Sequence, residues 1–140
     1  WFVYGWKKGA GMLYNLALDR IHEMGAAPGE VYQESKAIDP DTFFDNLIGV
    51  TKNINDKAHT IRFWADPEQV PYIETKPLHK SQFVVQRDED GSAIFQMEVV
   101  LNYELEKDLL GFGEGIKVLS PKSLVNNMSR RLRKASQNYQ

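Results

Sequence analysis

The 140-residue sequence predicts an α+β fold in two unequal parts. Three observations carry that prediction. Short runs of β-branched and aromatic residues with a period of two recur along the chain, as half-buried strands require. Between them stand segments whose apolar residues lie three and four apart, the helical period. From residue 58 onward the segments follow the order β-α-β-β-α-β and then α. This is the ferredoxin-like split βαβ arrangement, an antiparallel sheet with two helices on one face.

Taken in order, residues 1–7 are aromatic and β-branched and read as a strand. Lys8-Gly9-Ala10-Gly11 makes a turn. Met12 to Ile21 returns as a second strand, with Leu16 and Leu18 on one parity against Ala17 and Asp19, so the pair forms a hairpin. The stretch Gly25 to Gly29, with Pro28, breaks it. Asp39-Pro40 opens a short helix, Asp39 as N-cap and Pro40 in the first turn, with Phe43, Phe44, Leu47 and Ile48 as its apolar face. Asn53 to Lys57 is polar and aperiodic and marks the boundary between a first part, 1–57, and a second, 58–140.

In the second part, His59 to Ala65 alternates, with Ile61 and Phe63 on one side and Arg62 and Trp64 on the other. Asp66-Pro67 caps a helix carrying Val70 and Ile73. Gln82 to Arg87 is a strand with Phe83 and Val85 in phase, Asp88 to Gly91 a tight turn, and Ser92 to Val100 the return strand with Phe95, Met97 and Val99 in phase. Asn102 or a neighbour starts a helix with Leu105, Leu109 and Phe112 at helical spacing, and the glycines 111, 113 and 115 end it. Ile116 to Leu119 is a fourth strand. Ser120-Pro121 starts a last helix with Leu124, Val125, Met128 and Leu132 on one face. The sheet face turned away from the helices then carries Arg62, Trp64, Val84, Ile94 and Gln96. Trp64, Val84 and Ile94 are too apolar to be left wet together, so this face is expected to be an interface. A partner domain, a second chain or the last helix is expected to cover it.

Composition narrows the function classes. Apolar residues make up 42% and charged residues 26%, as in soluble proteins, and a cytoplasmic location is expected. With no Cys there is no disulfide framework, no thiolate metal site and no cysteine nucleophile. No run approaches the ~18 apolar residues of a membrane span, and no secretory signal is visible. A net charge of −2 speaks against a generally basic nucleic-acid binder. The charge is unevenly placed: −2 over residues 1–58, −5 over 59–120 and +5 over 121–140. The basic tail, Lys122, Arg130, Arg131, Arg133 and Lys134, reads either as a phosphate-contacting helix or as a solvated helix whose cations suit the C-terminal dipole, with the latter favoured.

No motif supports catalysis. The glycines 111, 113 and 115 follow a helix and precede a strand, the reverse of a dinucleotide loop. The acidic turn at Asp88 fails the EF-hand pattern, with Ala93 and Val99 where Gly and Glu belong. His22, His59 and His79 lie too far apart in sequence for a helical metal motif, and no Gly-x-Ser-x-Gly elbow appears. Neither an enzyme, a metal nor a cofactor is expected. The aromatic opening, Trp1-Phe2-Val3-Tyr4, beside Leu18-Asp19-Arg20-Ile21 admits two readings. Aromatic faces stack bases while an Arg pairs a phosphate, or the aromatics fill a small barrel and the Arg is solvated.

At these residues the chain resembles the WYL-domain proteins. Trp1-Phe2-Val3 stands where that family has Trp-Tyr-Leu, and Leu18-Asp19-Arg20-Ile21 matches the end of the following strand. His79-Lys-Ser-Gln82, Asp90-Gly91, Leu109-Leu-Gly-Phe-Gly113 and Val118-Leu-Ser-Pro121 resemble the C-terminal extension domain that follows WYL. The resemblance implies the C-terminal part of a bacterial transcription regulator: part of an SH3/Sm-like barrel, then the extension domain. It implies effector sensing, with single-stranded nucleic acid or a nucleotide as ligand. Trp1, Phe2 and Tyr14 would be the stacking candidates and Arg20 the anion anchor. Tyr14 replaces the family's Arg and cannot neutralise a phosphate, and Phe2 lacks the usual Tyr hydroxyl. Operator DNA would be bound only through an N-terminal helix-turn-helix, which these residues do not contain. A homodimer is expected, with Trp64, Val84 and Ile94 at the interface, and a dimerisation or interdomain module without ligand is the alternative. The apolar start at Trp1 is expected to be an interior strand of a longer barrel.

Overall fold

The computed structural model describes residues 1–7, 9, 13–34 and 36–140. Among them the chain is a mixed α+β protein with two open antiparallel sheets and three α-helices. The first sheet is a hairpin of β1 (Phe2–Trp6) and β2 (Leu13–Ala17), with Phe2 opposite Ala17 and Trp6 opposite Leu13. Of the expected turn, only Gly9 is described, at φ 78°. Lys8, Ala10, Gly11 and the expected strand start at Met12 lie outside the described residues.

Two expectations for the first part are corrected. The second strand does not reach Ile21. It ends at Ala17, and Leu18–Arg20 is a 3₁₀ turn. The Leu18 N–H donates to the Trp1 carbonyl at 3.0 Å, the end of the hairpin ladder, and Ile21 N–H then closes back on Leu18 at 3.2 Å. Residues 40–46 form successive turns in place of a helix. Asp39 still caps them, its carboxylate accepting from Asp41 N–H and Thr42 Oγ at 3.0 Å each. The physical reason lies in Phe43 and Phe44. Both rings pack edge-on against Tyr4, at 6.0 and 5.1 Å between centroids. A helix would splay these adjacent side chains about 100° apart.

The second sheet holds β3 (Ala58–Ala65), β4 (Phe83–Arg87), β5 (Ala93–Val100) and β6 (Ile116–Ser120) in the order β4-β5-β3-β6. With α1 (Val70–Thr75), α2 (Tyr103–Leu110) and α3 (Lys122–Gln137), the element order is the one expected from the sequence. Helix α1 starts later than Asp66-Pro67 predicts. Asp66 instead caps a preceding turn, accepting from Gln69 N–H at 2.8 Å.

Strand alternation decides which face is dry. Ile61, Phe63 and Ala65 of β3 and Phe95, Met97 and Val99 of β5 are almost wholly buried, and the Phe63 and Phe95 rings stack at 5.4 Å. Val70 and Ile73 of α1, Leu105 and Leu109 of α2, and Leu124 and Met128 of α3 join the same core. All three helices therefore lie on one side of the sheet. The last helix does not cover the other face.

Register also corrects the placement of Val84. Directly opposed residues share a face, and Val84 stands opposite buried Phe95 while Phe83 stands opposite Gln96. Val84 thus packs on the core, and Phe83 sits on the open face, half exposed. An irregularity between Val84 and Gln86 then returns Gln86 opposite Ile94. Such a bulge shifts parity within a strand, which simple alternation along Gln82–Arg87 cannot foresee.

The stretch 53–57 is a polar turn, Asn53 N–H donating to Asp56 Oδ2 at 2.8 Å. Contacts cross it. Val100 N–H donates to the Asn46 carbonyl at 2.9 Å, and Ile48 is buried in the core of the second sheet. His79-Lys-Ser-Gln82 fastens the entry to β4. His79 Nε2 meets the Asp45 carbonyl at 2.9 Å, Lys80 pairs with Asp45 at 2.5 Å, and Ser81 Oγ accepts from Glu98 N–H at 2.9 Å.

Candidate functional site: a groove between the hairpin and the second helix

A continuous set of polar contacts joins the hairpin to α2. On β2, Asn15 Nδ2 donates to the Tyr4 hydroxyl at 3.1 Å and to the Val50 carbonyl at 2.7 Å. Val50 N–H and Thr51 Oγ in turn donate to Glu104 Oε1, at 3.2 and 2.7 Å. Asn102, the N-cap of α2, accepts from Leu105 N–H at 2.8 Å through its side-chain oxygen. Its amide nitrogen donates to the carbonyls of Ile48, at 2.8 Å, and Thr51, at 3.0 Å. A single side chain thus starts the helix and holds residues 48–51 on it.

Beside this bridge lies a groove of 760 Å³. One wall is Phe2, Leu16, Ala17 and Arg20 of the hairpin, and the other is Tyr103 and Glu104 of α2, with Asn15, Val50 and Thr51 between them. Arg20 is exposed and has no hydrogen-bond or ion-pair partner among the described residues. Tyr103 is 63% exposed, with the Arg131 guanidinium 5.3 Å from its ring centre. Arg131 is itself fixed by Glu106 at 2.8 Å.

The electrostatics follow from these contacts. Burial alone would raise the Glu104 pKa. The hydrogen bonds from Thr51 and the neighbouring backbone N–H groups outweigh it and hold the carboxyl below its ordinary range, so it is ionised at neutral pH. Burial, with the Glu104 charge adding to it, pushes the Tyr4 hydroxyl up, so it stays neutral. Asn15 Oδ1 and Glu104 Oε2 are buried with no hydrogen-bond donor among the described residues. The groove therefore has a cation at the hairpin rim, a carboxylate at the helix wall and aromatic rings on both.

The structure brings together two of the four predicted ligand residues. Phe2 and Arg20 line the groove. Tyr14 stands opposite Gly5, on the ribbon face away from Phe2, Tyr4 and Asn15. Trp1 is 98% exposed and lines no part of the groove. Sequence reasoning missed Tyr103 and Glu104. Glu104 reads as an ordinary first-turn acid behind an Asn cap, and nothing local separates it from Glu106. Of the predicted interface residues, Trp64 and Ile94 lie opposite each other on the open face, joined by Leu119 and Lys117 around an apolar hollow of 380 Å³. Arg62 Nε donates to Gln96 Oε1 beside them at 2.7 Å.

Among the described residues no three His, Asp or Glu side chains stand close enough to hold a metal ion, and no helix is long and apolar enough to cross a membrane.

No curated protein matches the chain. The WCX domain model matches residues 57–136, from one residue before β3 to the last turn of α3. That span is more than half of the chain and contains the whole four-stranded sheet, its three helices and the Tyr103–Glu104 wall of the groove. The chain belongs to the WCX domain family, the C-terminal domain associated with WYL-type regulators.

Proposed function

We propose that the chain is the effector-sensing C-terminal region of a WYL-type transcription regulator and binds single-stranded nucleic acid or a nucleotide in the groove beside α2. On this reading β1 and β2 belong to an SH3/Sm-like barrel, and the order β4-β5-β3-β6 with helices on one face is a ferredoxin-like sheet. A cytoplasmic location and no catalytic role go with it. The observation that carries the reading is Arg20, a cation without a partner among the described residues, beside the exposed Phe2 ring in a groove of ligand size. An anion there gains a charge-assisted bond without displacing an existing ion pair. The test is titration of a labelled oligothymidylate into wild type and Arg20→Ala at two salt concentrations. Wild type is expected to bind with affinity falling as salt rises, and Arg20→Ala to bind more weakly with a shallower salt slope. Equal affinities would remove Arg20 as the anchor.

A second reading has its own observation. Trp64, Ile94, Leu119 and Phe83 share a sheet face that no helix among the described residues covers. This supports a homodimer or interdomain contact there, independent of any ligand. Sedimentation of wild type and Trp64→Glu tests it. A dimer that dissociates in the variant is expected, and a wild-type monomer at every concentration would refute it.

A further inference from the structure

We infer that Tyr103 closes the groove as the second jaw of an aromatic clamp, so that one nucleotide unit is held with its base between Phe2 and Tyr103 and its phosphate on Arg20. This rests on the nucleotide reading above and adds to it a wall supplied by the WCX domain. Three observations carry it. First, the groove has one aromatic ring on each wall, Phe2 from β1 and Tyr103 from the first turn of α2, both about half exposed or more. Second, Tyr103 is held in place although it is exposed. Arg131 packs on its ring from outside the groove lining and is itself tied to Glu106, so little ring motion is lost when a base arrives. Third, the groove is polar along its length. Arg20 stands on the hairpin wall and Glu104 on the helix wall. Repulsion from the carboxylate keeps phosphate off the α2 side, which leaves that side to the uncharged base.

The clamp spans two parts of the chain that are otherwise joined through residues 45–51. A bound base would therefore tie the hairpin to the WCX domain, the physical coupling that a sensing module needs.

The experiment is calorimetric titration of the 140-residue chain with deoxyguanosine monophosphate and, separately, with inorganic phosphate. Wild type, Tyr103→Ala, Tyr103→Phe and Arg20→Ala are compared. The nucleotide is expected to bind and phosphate alone to bind far more weakly. Losing one stacking face should weaken nucleotide binding about tenfold in Tyr103→Ala, with Tyr103→Phe restoring it, since the ring and not the hydroxyl does the stacking. A Tyr103→Ala affinity equal to wild type, with Arg20→Ala still weakened, overturns the clamp and leaves the nucleotide reading standing. Phosphate binding as tightly as the nucleotide overturns the clamp in favour of a simple anion site. Failure of wild type to bind either the nucleotide or the oligothymidylate overturns both.

Discussion

Replacing Gly49 with Ala tests how residues 48–51 are seated on α2. Gly49 has φ 79°, in the left-handed region. A Cβ built there lies 2.4 Å from Glu104 Cγ and 2.6 Å from Glu104 Cβ. The backbone term alone costs about 1 kcal/mol for Ala. The overlap adds about 2 kcal/mol, because Glu104 Cβ is fixed to the helix and cannot swing away as a side-chain tip would. Gly49→Ala should thus destabilise the chain by about 3 kcal/mol. Glu104→Ala removes the acceptor for Val50 N–H and Thr51 Oγ. It should cost about 1.5 kcal/mol, the lower end for hydrogen bonds to a charged group, since Thr51 is exposed. It also removes the atom that the new methyl strikes most closely. The Cβ of residue 104, 2.6 Å from the new methyl, remains, so only about half of the overlap is relieved, and the double variant should lose about 3.5 kcal/mol, short of the roughly 4.5 kcal/mol that independent effects would give. Urea unfolding of all four proteins measures the cycle. Strict additivity would refute the clash, and a Gly49→Ala loss below about 1 kcal/mol would refute the seating of residues 48–51 itself.

Other outcomes follow from the same contacts. Because the folded-state pKa of Glu104 is depressed, its contribution is present above the unfolded value of 4.5 and is lost as pH falls through the lower folded value. Urea midpoints at neutral pH and near pH 3 should therefore fall further for wild type than for Glu104→Gln. Equal slopes would mean that Glu104 is not hydrogen-bonded as described. Leu109→Ala, at a fully buried position where α2 meets the sheet, should cost about 3 kcal/mol by urea unfolding. A loss below about 1 kcal/mol would show that α2 is not part of the core.

Much of the fold is legible in the sequence because the physics is local. Ile61 and Phe63 alternate with Arg62 and Trp64, and that parity is the one the sheet buries. Asn102 before a helical apolar pattern marks the start of α2, and Asp90-Gly91 marks the β4–β5 turn. Errors arise where a neighbour decides. Val84 is assigned to the wrong face because the bulge that resets β4 depends on its pairing with β5. Residues 40–46 are denied a helix by the Tyr4 ring, thirty-six residues before Pro40.

The candidate site divides the same way. Phe2 and Arg20 stand out in the sequence because they belong to a hairpin whose motif is short and local. Tyr14 looks equivalent to them in the sequence, yet it lines no part of the groove. Tyr103 and Glu104 are invisible in the sequence because their place beside Arg20 depends on residues 48–51 folding onto α2. The sequence by itself determined the element order of the second part, which follows from periodicity and caps, and its short motifs carried the resemblance to a WYL-associated C-terminal domain. The tertiary structure alone decided which residues share the groove. Contacts across fifty or more residues, such as those from Val50 and Thr51 to Glu104, carry no local pattern in the sequence.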